Sequence, residues 1–386
     1  MSSRVTSERR RQLLLSLGPP VAAAVLAIVV SAIVLVITGS NPFRTFATML
    51  EFGTRLETII QALNRATPLF LSGVAAAIGF RMNLFNIGVE GQYILASFAA
   101  AAIGAEIILP GPLHVGLIML ISMVVGALAA GLAGFLKVTR GVNEVISTIM
   151  LNAIYTGGII AAVFPLVIDR DNNAANAGTK LINESGWLPD LNGVVEIFTR
   201  DIKGSRSLTG VLVAAIIVGV GYHVVVNRSR FGFDLRASGM NPFAARAGGV
   251  PPKRMIMIAM LASGAIAGLI GMPEILSNNH SYDQGFVQGL GFGGIAVALL
   301  GRLNAGGMAV AALLFGFLDS SAAILQVRQL ASSSITSIMQ ATVLFAAVVA
   351  YQIAERIRQR EEIRAAGEAI AAESSEPAEA PGSASV

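Results

Sequence analysis

The chain has 386 residues, 54% of them apolar and 13% charged, with a formal charge of +4 and no cysteine. This excludes a disulfide framework and a thiolate metal site, and the three histidines, His114, His223 and His280, lie far apart in sequence, which argues against a metal centre. Most basic residues flank apolar runs and do not cluster in a soluble segment, which argues against nucleic-acid binding.

In chain order, apolar segments are predicted at 19–38, 59–80, 84–108, 113–136, 144–168, 208–226, 255–276, 286–303, 307–326 and 333–354. Each is near the roughly 20 residues that cross a bilayer core, so the expected fold is an all-α polytopic membrane protein of about ten transmembrane helices. A β-barrel would instead alternate over strands of about ten residues. The start, SERRRQLLLSLGPP, puts positive charge before an apolar run but is followed by no A-x-A cleavage pattern, which predicts an uncleaved first helix behind a cytoplasmic segment, 1–18.

Basic residues recur at Arg4, Arg9, Arg10 and Arg11, at Lys137 and Arg140, from Arg228 to Arg254, and at Arg356, Arg358 and Arg360. With ten helices these all fall on one side, which places both termini in the cytoplasm. Arg44, Arg55 and Arg65, interspersed with Glu51 and Glu57, weaken this bias without reversing it. The membrane body is expected over 19–356, with a polar external loop at 169–207 that holds the sole tryptophan, Trp187. The last residues, 357–386, are rich in Ala, Glu, Ser and Pro and are expected to form a disordered cytoplasmic tail.

Several chemistries leave no trace. The chain contains no G-x-x-x-x-G-K-[ST] phosphate loop, no H-E-x-x-H and no G-x-S-x-G, so neither ATP hydrolysis nor a protease or esterase reaction is expected of it. Were such a chain part of a pump, its energy would come from a partner or an ion gradient.

Polar residues inside the apolar runs are the candidate site. In RMNLFNIGVEGQY, a continuous helix would put Asn83, Asn86 and Glu90 on one face and Gln92 on another. A carboxylate near the bilayer centre costs roughly 2.5–3.5 kcal/mol on insertion scales, so Glu90 should face protein or a watery path. Two readings stay open: Glu90 lines the path, or it bonds backbone amides freed where a helix is broken beside Gly88 and Gly91. In GVNEVISTIMLN, Glu144, Thr148 and Asn152 share a face, with Glu144 placed to offset Lys137 or Arg140 and the two uncharged residues suited to a polar solute. Asp319 is a third acid within an apolar run, 278–286 is a polar outer loop, and the glycines of 289–302 suit close packing.

The longest internal cytoplasmic loop, 227–254, carries helix punctuation. Asn241 suits a cap, Pro242 a first helical position and Gly248 and Gly249 an ending, which predicts one short helix after a preceding turn in GFDLRASG. A loop of this charge also suits anionic membrane lipid, but two capped turns predict a rigid element offered to a soluble motor.

NLFNIGVEGQ, GVNEVISTIMLN, DLRASGMNPFAARAGGV and GFGGIAVALLGR, in this order, resemble the permease subunits of bacterial ABC importers, in the nucleoside branch of a superfamily that also holds the branched-chain amino acid and ribose permeases. The resemblance covers about residues 60–350. It implies a type II-like importer permease in the bacterial inner membrane, paired with a second permease subunit, with cytoplasmic ATPases that bind ATP and Mg, and with an external substrate-binding lipoprotein. No cofactor is implied for this chain itself. By the same resemblance Gly232, Asp234, Arg236, Gly239, Asn241, Ala245 and Gly248 belong to the segment that docks into the ATPase. The polar stripes described above make Asn83, Asn86, Glu90, Thr148 and Asn152 the candidates for the substrate pathway. Ala247 stands where the family often has an aromatic.

The expected function is therefore a non-catalytic, gated pathway for nucleosides, with ribose-type sugars or branched-chain amino acids as alternatives within the superfamily. The alternative of another class is an ion-coupled secondary transporter that uses Glu90, Glu144 or Asp319.

Overall fold

The computed structural model describes residues 25–169, 177–196 and 207–346, apart from 329, 331–333 and 336, together with 349 and 356. The expected N-terminal segment, nearly all of the tail, parts of the external loop, and Arg4, Arg9, Arg10, Arg11, Arg358 and Arg360 lie outside the described residues. Residues 43–336 form one compact unit, and 1–42 with 337–386 form another.

The second unit contains α1 (Val25–Ile37) and α15 (Ser337–Ala346). The larger unit holds α2 (Pro42–Gly53, which begins at its edge), α3 (Leu56–Arg81), α4 (Val89–Gly104), α5 (Gly111–Arg140), α6 (Glu144–Ala153), α7 (Ala161–Val167), α8 (Asn192–Glu196), α9 (Val211–Arg228), α10 (Arg230–Met240), α11 (Pro242–Ala247), α12 (Pro252–Gly268), α13 (Leu290–Leu300) and α14 (Ala305–Val327). A wide π turn, Ile154–Ile160, joins α6 to α7 in one continuous rod.

Every apolar segment read from the sequence contains helix among its described residues, while the count of about ten spanning helices is not confirmed. Among the described residues five helices are long and apolar enough to cross a membrane, or six if α1 and α2 count as one. Two of the other segments fall short for a local reason: those at 84–108 and 286–303 begin in irregular backbone, so α4 has 16 residues and α13 only 11. At 1.5 Å per residue, α13 is about 16 Å long, roughly half of a hydrocarbon core.

The helix ends follow their sequence. α5 has proline in its first turn, Lys137 and Arg140 in its last, and then Gly141 in the left-handed conformation at φ 68°. Asn304 opens α14 by accepting a hydrogen bond from the Gly306 amide at 3.0 Å.

Small residues set the packing. α5 lies along α12 where Gly126 faces Gly264 and Ser122 faces Gly268, close enough that a Cβ at Gly126, Gly264 or Gly268 would strike the opposing backbone. The Ser122 hydroxyl donates to the Gly268 carbonyl at 2.6 Å. α13 and α14 flank α3, with Gly294 against Ser72 and Gly316 against the Ala62 carbonyl. In lipid there is little hydrophobic gain between helices, so such close backbone approach carries the association.

Residues 177–196 fold over the chain at 276–286. The Thr179 and Ile182 amides donate to the Tyr282 and His280 carbonyls, and the Leu188 amide donates to the Leu276 carbonyl. Beneath them Phe98, Phe164, Tyr282 and Phe286 form an aromatic cluster, so the loop expected to be a polar outer surface is half interior. His280 stacks on Trp187 with ring centroids 4.0 Å apart and planes 11° from parallel.

Burial holds the His280 imidazole below the ordinary histidine value, against a smaller upward pull from Asp190. An unfolded segment therefore takes up the proton first. The stack's contribution is complete above the ordinary value and is lost as the pH falls from there through the depressed one. Trp187 is the only tryptophan, so its emission should change as the pH is lowered from 7 to about 5, and His280→Phe should abolish that change. Fluorescence titration of the purified protein checks this.

Candidate functional site

The stretch between α3 and α4 is where the polar residues converge. α3 ends at Arg81, the chain turns through Asn83 at φ 56°, and residues 82–88 return as irregular backbone before α4 begins. The expected helical face of Asn83, Asn86 and Glu90 is therefore not formed, because the helix is broken between α3 and α4. Asn83 is exposed, and Asn86 is carried back beside the last third of α3.

Asn86 pairs with Gln92, the residue expected to point elsewhere. Its Nδ2 donates to Gln92 Oε1 at 3.0 Å and to Ser263 Oγ at 2.9 Å, while its Oδ1 accepts from Gln92 Nε2 at 2.9 Å and from the Gly88 amide at 3.1 Å. The Ser263 hydroxyl on α12 in turn donates to the Ala75 carbonyl of α3 at 2.7 Å. The amide pair is 2% and 1% exposed, so its bonds replace hydration completely.

Glu90 closes the other side of the break. Its Oε1 accepts from the Gly289 amide at 2.6 Å and its Oε2 from the Gly291 amide at 2.8 Å, so one carboxylate caps the N-terminus of α13 from two hundred residues away in sequence. The Tyr93 hydroxyl sits 2.7 Å from the Val287 carbonyl and 3.2 Å from Glu90 Oε1. Gly289 adopts φ 90°, and a Cβ at Gly291 would lie 2.7 Å from Glu90 Cα, which explains glycine at both positions. Of the two readings of Glu90, the geometry has it bonding freed backbone amides.

α6 holds the break from a third direction. Asn152 accepts from the Gly91 amide at 2.9 Å and donates to the Ile87 carbonyl at 3.0 Å. A Cβ at Gly91 would meet Asn152 at 2.7 Å, and one at Gly88 would meet Thr148 at 3.1 Å. Thr148 is fully buried with its hydroxyl bonded back to the Glu144 carbonyl at 2.7 Å. The Glu144 carboxylate forms an ion pair with Lys137 at 2.5 Å, as the charge-offset reading of the sequence has it.

The segment 229–254 forms the two short helices α10 and α11. Ser229 Oγ accepts from the Gly232 amide, and Asn241 Oδ1 accepts from the Phe243 and Ala244 amides at 3.0 and 3.1 Å. Gly232 abuts the Val225 and Val226 carbonyls, Arg236 donates to the Val226 carbonyl, and a Cβ at Gly239 would lie 2.7 Å from the Arg81 carbonyl. Ala245 is buried, Asp234 half-buried, and Gly248 follows the end of α11. Gly232, Arg236, Gly239 and Asn241 thus fix the segment's shape and its seat against the helix break. The residues it presents outward are Phe233, Met240 and Phe243, at 63%, 87% and 84% exposure.

Asn86, Glu90, Thr148 and Asn152 thus meet around one junction and Asn83 stays exposed outside it, while Gln92, Tyr93, Ser263, Gly289 and Gly291, which no local pattern in the sequence assigns to the junction, complete it. The exposed Phe233, Met240 and Phe243 were also missed; large apolar residues within a basic, capped loop were the available signal.

Residues 58–348 match the family described as branched-chain amino acid transport system / permease component. The guanosine ABC transporter permease protein NupP of Bacillus subtilis is 32% identical over 86% of this chain and 93% of its own length. The glucose ABC transporter permease protein TsgB13 of Haloferax volcanii is 29% identical over 86% of each chain. The nucleoside ABC transporter permease protein NupB of Lactococcus lactis is 31% identical over 78% of this chain and 83% of its own. In each of these organisms a second, more distant permease chain also matches. No solved structure matches.

Glu90→Gln keeps the shape of the side chain but points an amide N–H at a backbone donor. Leaving a buried donor unpaired costs about 1–3 kcal/mol, so the variant should melt earlier in detergent and accumulate less in the membrane. Thermal unfolding followed by size-exclusion chromatography checks this, and an unchanged midpoint would show that the carboxylate does not cap α13.

Proposed function

Because the chain belongs to the branched-chain amino acid transport permease family, we propose that it is the membrane permease subunit of an ATP-driven importer for nucleosides. The observation that carries the nucleoside reading is similarity to a guanosine permease along nearly the whole of that protein. The second matching chain in each relative's organism supports pairing with a different permease subunit. ATP and Mg belong in this reading to cytoplasmic ATPase partners, and an external binding lipoprotein delivers the solute.

The proposed sidedness puts 227–254 in the cytoplasm of a bacterial inner membrane, by its excess of Lys and Arg. There Phe233, Met240 and Phe243 are apolar anchors on a capped, rigid elbow, suited to a hydrophobic cleft on a soluble ATPase. Movement of the elbow would act on the 82–88 break through Gly239, and the break would move α4 and α13, whose N-termini meet at Glu90. An uncharged solute suits this junction, because the protein's own carboxylate already takes the place an anion would hold at the N-terminus of the half-length helix α13. A sugar is the second reading, favoured by the similarity to a glucose permease.

In proteoliposomes containing both permease chains, the ATPase and the binding protein, labelled guanosine and uridine should be imported in an ATP-dependent way, and glucose, ribose and leucine should not. Import driven by an ion gradient without ATPase would identify a secondary transporter. Phe243→Asp should lower ATP-dependent uptake about tenfold or more, the weight of one buried aromatic anchor, while the permease stays in the membrane.

A further inference from the structure

The turn between α13 and α14 is built in an unusual way. Arg302 and Leu303 are consecutive and both left-handed, at φ 53° and 55°, a region that residues with a Cβ rarely enter singly and more rarely in pairs. Strain of this kind persists only where the surroundings over-determine it. The turn's own amides do part of this, Leu303 donating to the Ala298 carbonyl at 2.9 Å and Asn304 to the Gly301 carbonyl at 3.0 Å, and two side chains from elsewhere add to it. Arg81 Nη2, at the end of α3, donates to the Leu303 carbonyl at 2.9 Å, and the Tyr222 hydroxyl of α9 donates to the same oxygen at 2.7 Å. Gly301 and Gly307 press together on the inner side of the turn, so α13 and α14 meet there in a tight joint.

The same two side chains border the coupling segment. The Arg81 carbonyl is the surface against which Gly239 of α10 sits, and Arg236 of α10 lies near enough to act electrostatically on the Tyr222 phenol together with Arg81. The Leu303 oxygen thus gathers α3, α9 and the α13–α14 joint at one point, one residue removed from α10.

We propose that Arg81 and Tyr222 are positioning residues for coupling: they hold the Arg302–Leu303 turn left-handed and make it a stiff relay through which displacement of α10 reaches α13 and α14. The inference rests on the reading of 227–254 as the ATPase-coupling segment.

The test uses the complete reconstituted transporter with Tyr222→Phe, which removes one donor and keeps the ring. Guanosine imported per ATP hydrolysed should fall about three- to tenfold while basal ATP hydrolysis and the amount of assembled complex stay unchanged. A ratio equal to wild type, or a fall that tracks loss of assembled complex, would overturn the relay.

Hydrogen exchange at residues 301–304 gives a readout independent of solute. Protection in the wild-type complex should differ between ATP-bound and nucleotide-free states, and Tyr222→Phe should erase the difference. If the wild type imports no guanosine with ATP, the nucleoside reading fails and this exchange result decides the relay alone; protection indifferent to nucleotide would overturn it.

Discussion

A backbone amide without an acceptor in hydrocarbon costs several kcal/mol, and this constraint governs the centre of the molecule. Breaking the chain after α3 and again before α13 leaves amides that cannot find carbonyls in their own helices. Glu90 answers two of them at α13, Asn152 answers one at Gly91, and Asn86 answers one at Gly88. Each of these side chains comes from an element other than, or just outside, the helix it serves. The polar residues are thus the means by which irregular backbone is admitted to an apolar body, and their burial is a consequence of that task.

The junction links elements that lie far apart in the chain. Asn86 reaches α12 through Ser263 and α3 through Ala75, while Glu90 reaches α13 and Asn152 reaches from α6. Because each group's bonding capacity is largely filled inside the protein, displacement of one element leaves a specific neighbour unpaired. That gives the centre a small number of well-defined arrangements, which suits a gate better than a graded deformation would.

Much of this was legible in the sequence and some was not. Apolar runs locate the helices because the bilayer imposes a length, and Asn241 followed by proline announces a helix start because its side chain can serve only the next two amides. The breaks were less legible. Residues 84–88 and 286–289 fall inside runs that read as spanning helices, and periodicity assigns Asn83, Asn86 and Glu90 to one face only if the helix continues through them. Gln92 was assigned to the far side for the same reason, although the broken chain turns it onto Asn86. Long-range partners such as Gly289 and Gly291 carry no local mark; their glycine content looks the same whether it serves helix packing or a cap.

The α5–α12 crossing sets a limit on how the protein can move. With Gly126 and Gly264 backbone to backbone and Ser122 bonded to Gly268, sliding either helix by one residue would drive a side chain into the opposing main chain. Shear along this pair is closed off, so the two helices form a single lever. Relative motion belongs at the contacts that lack such interlocking, and the small residues of α5 and α12 thereby determine which surfaces of the protein can be its bearings.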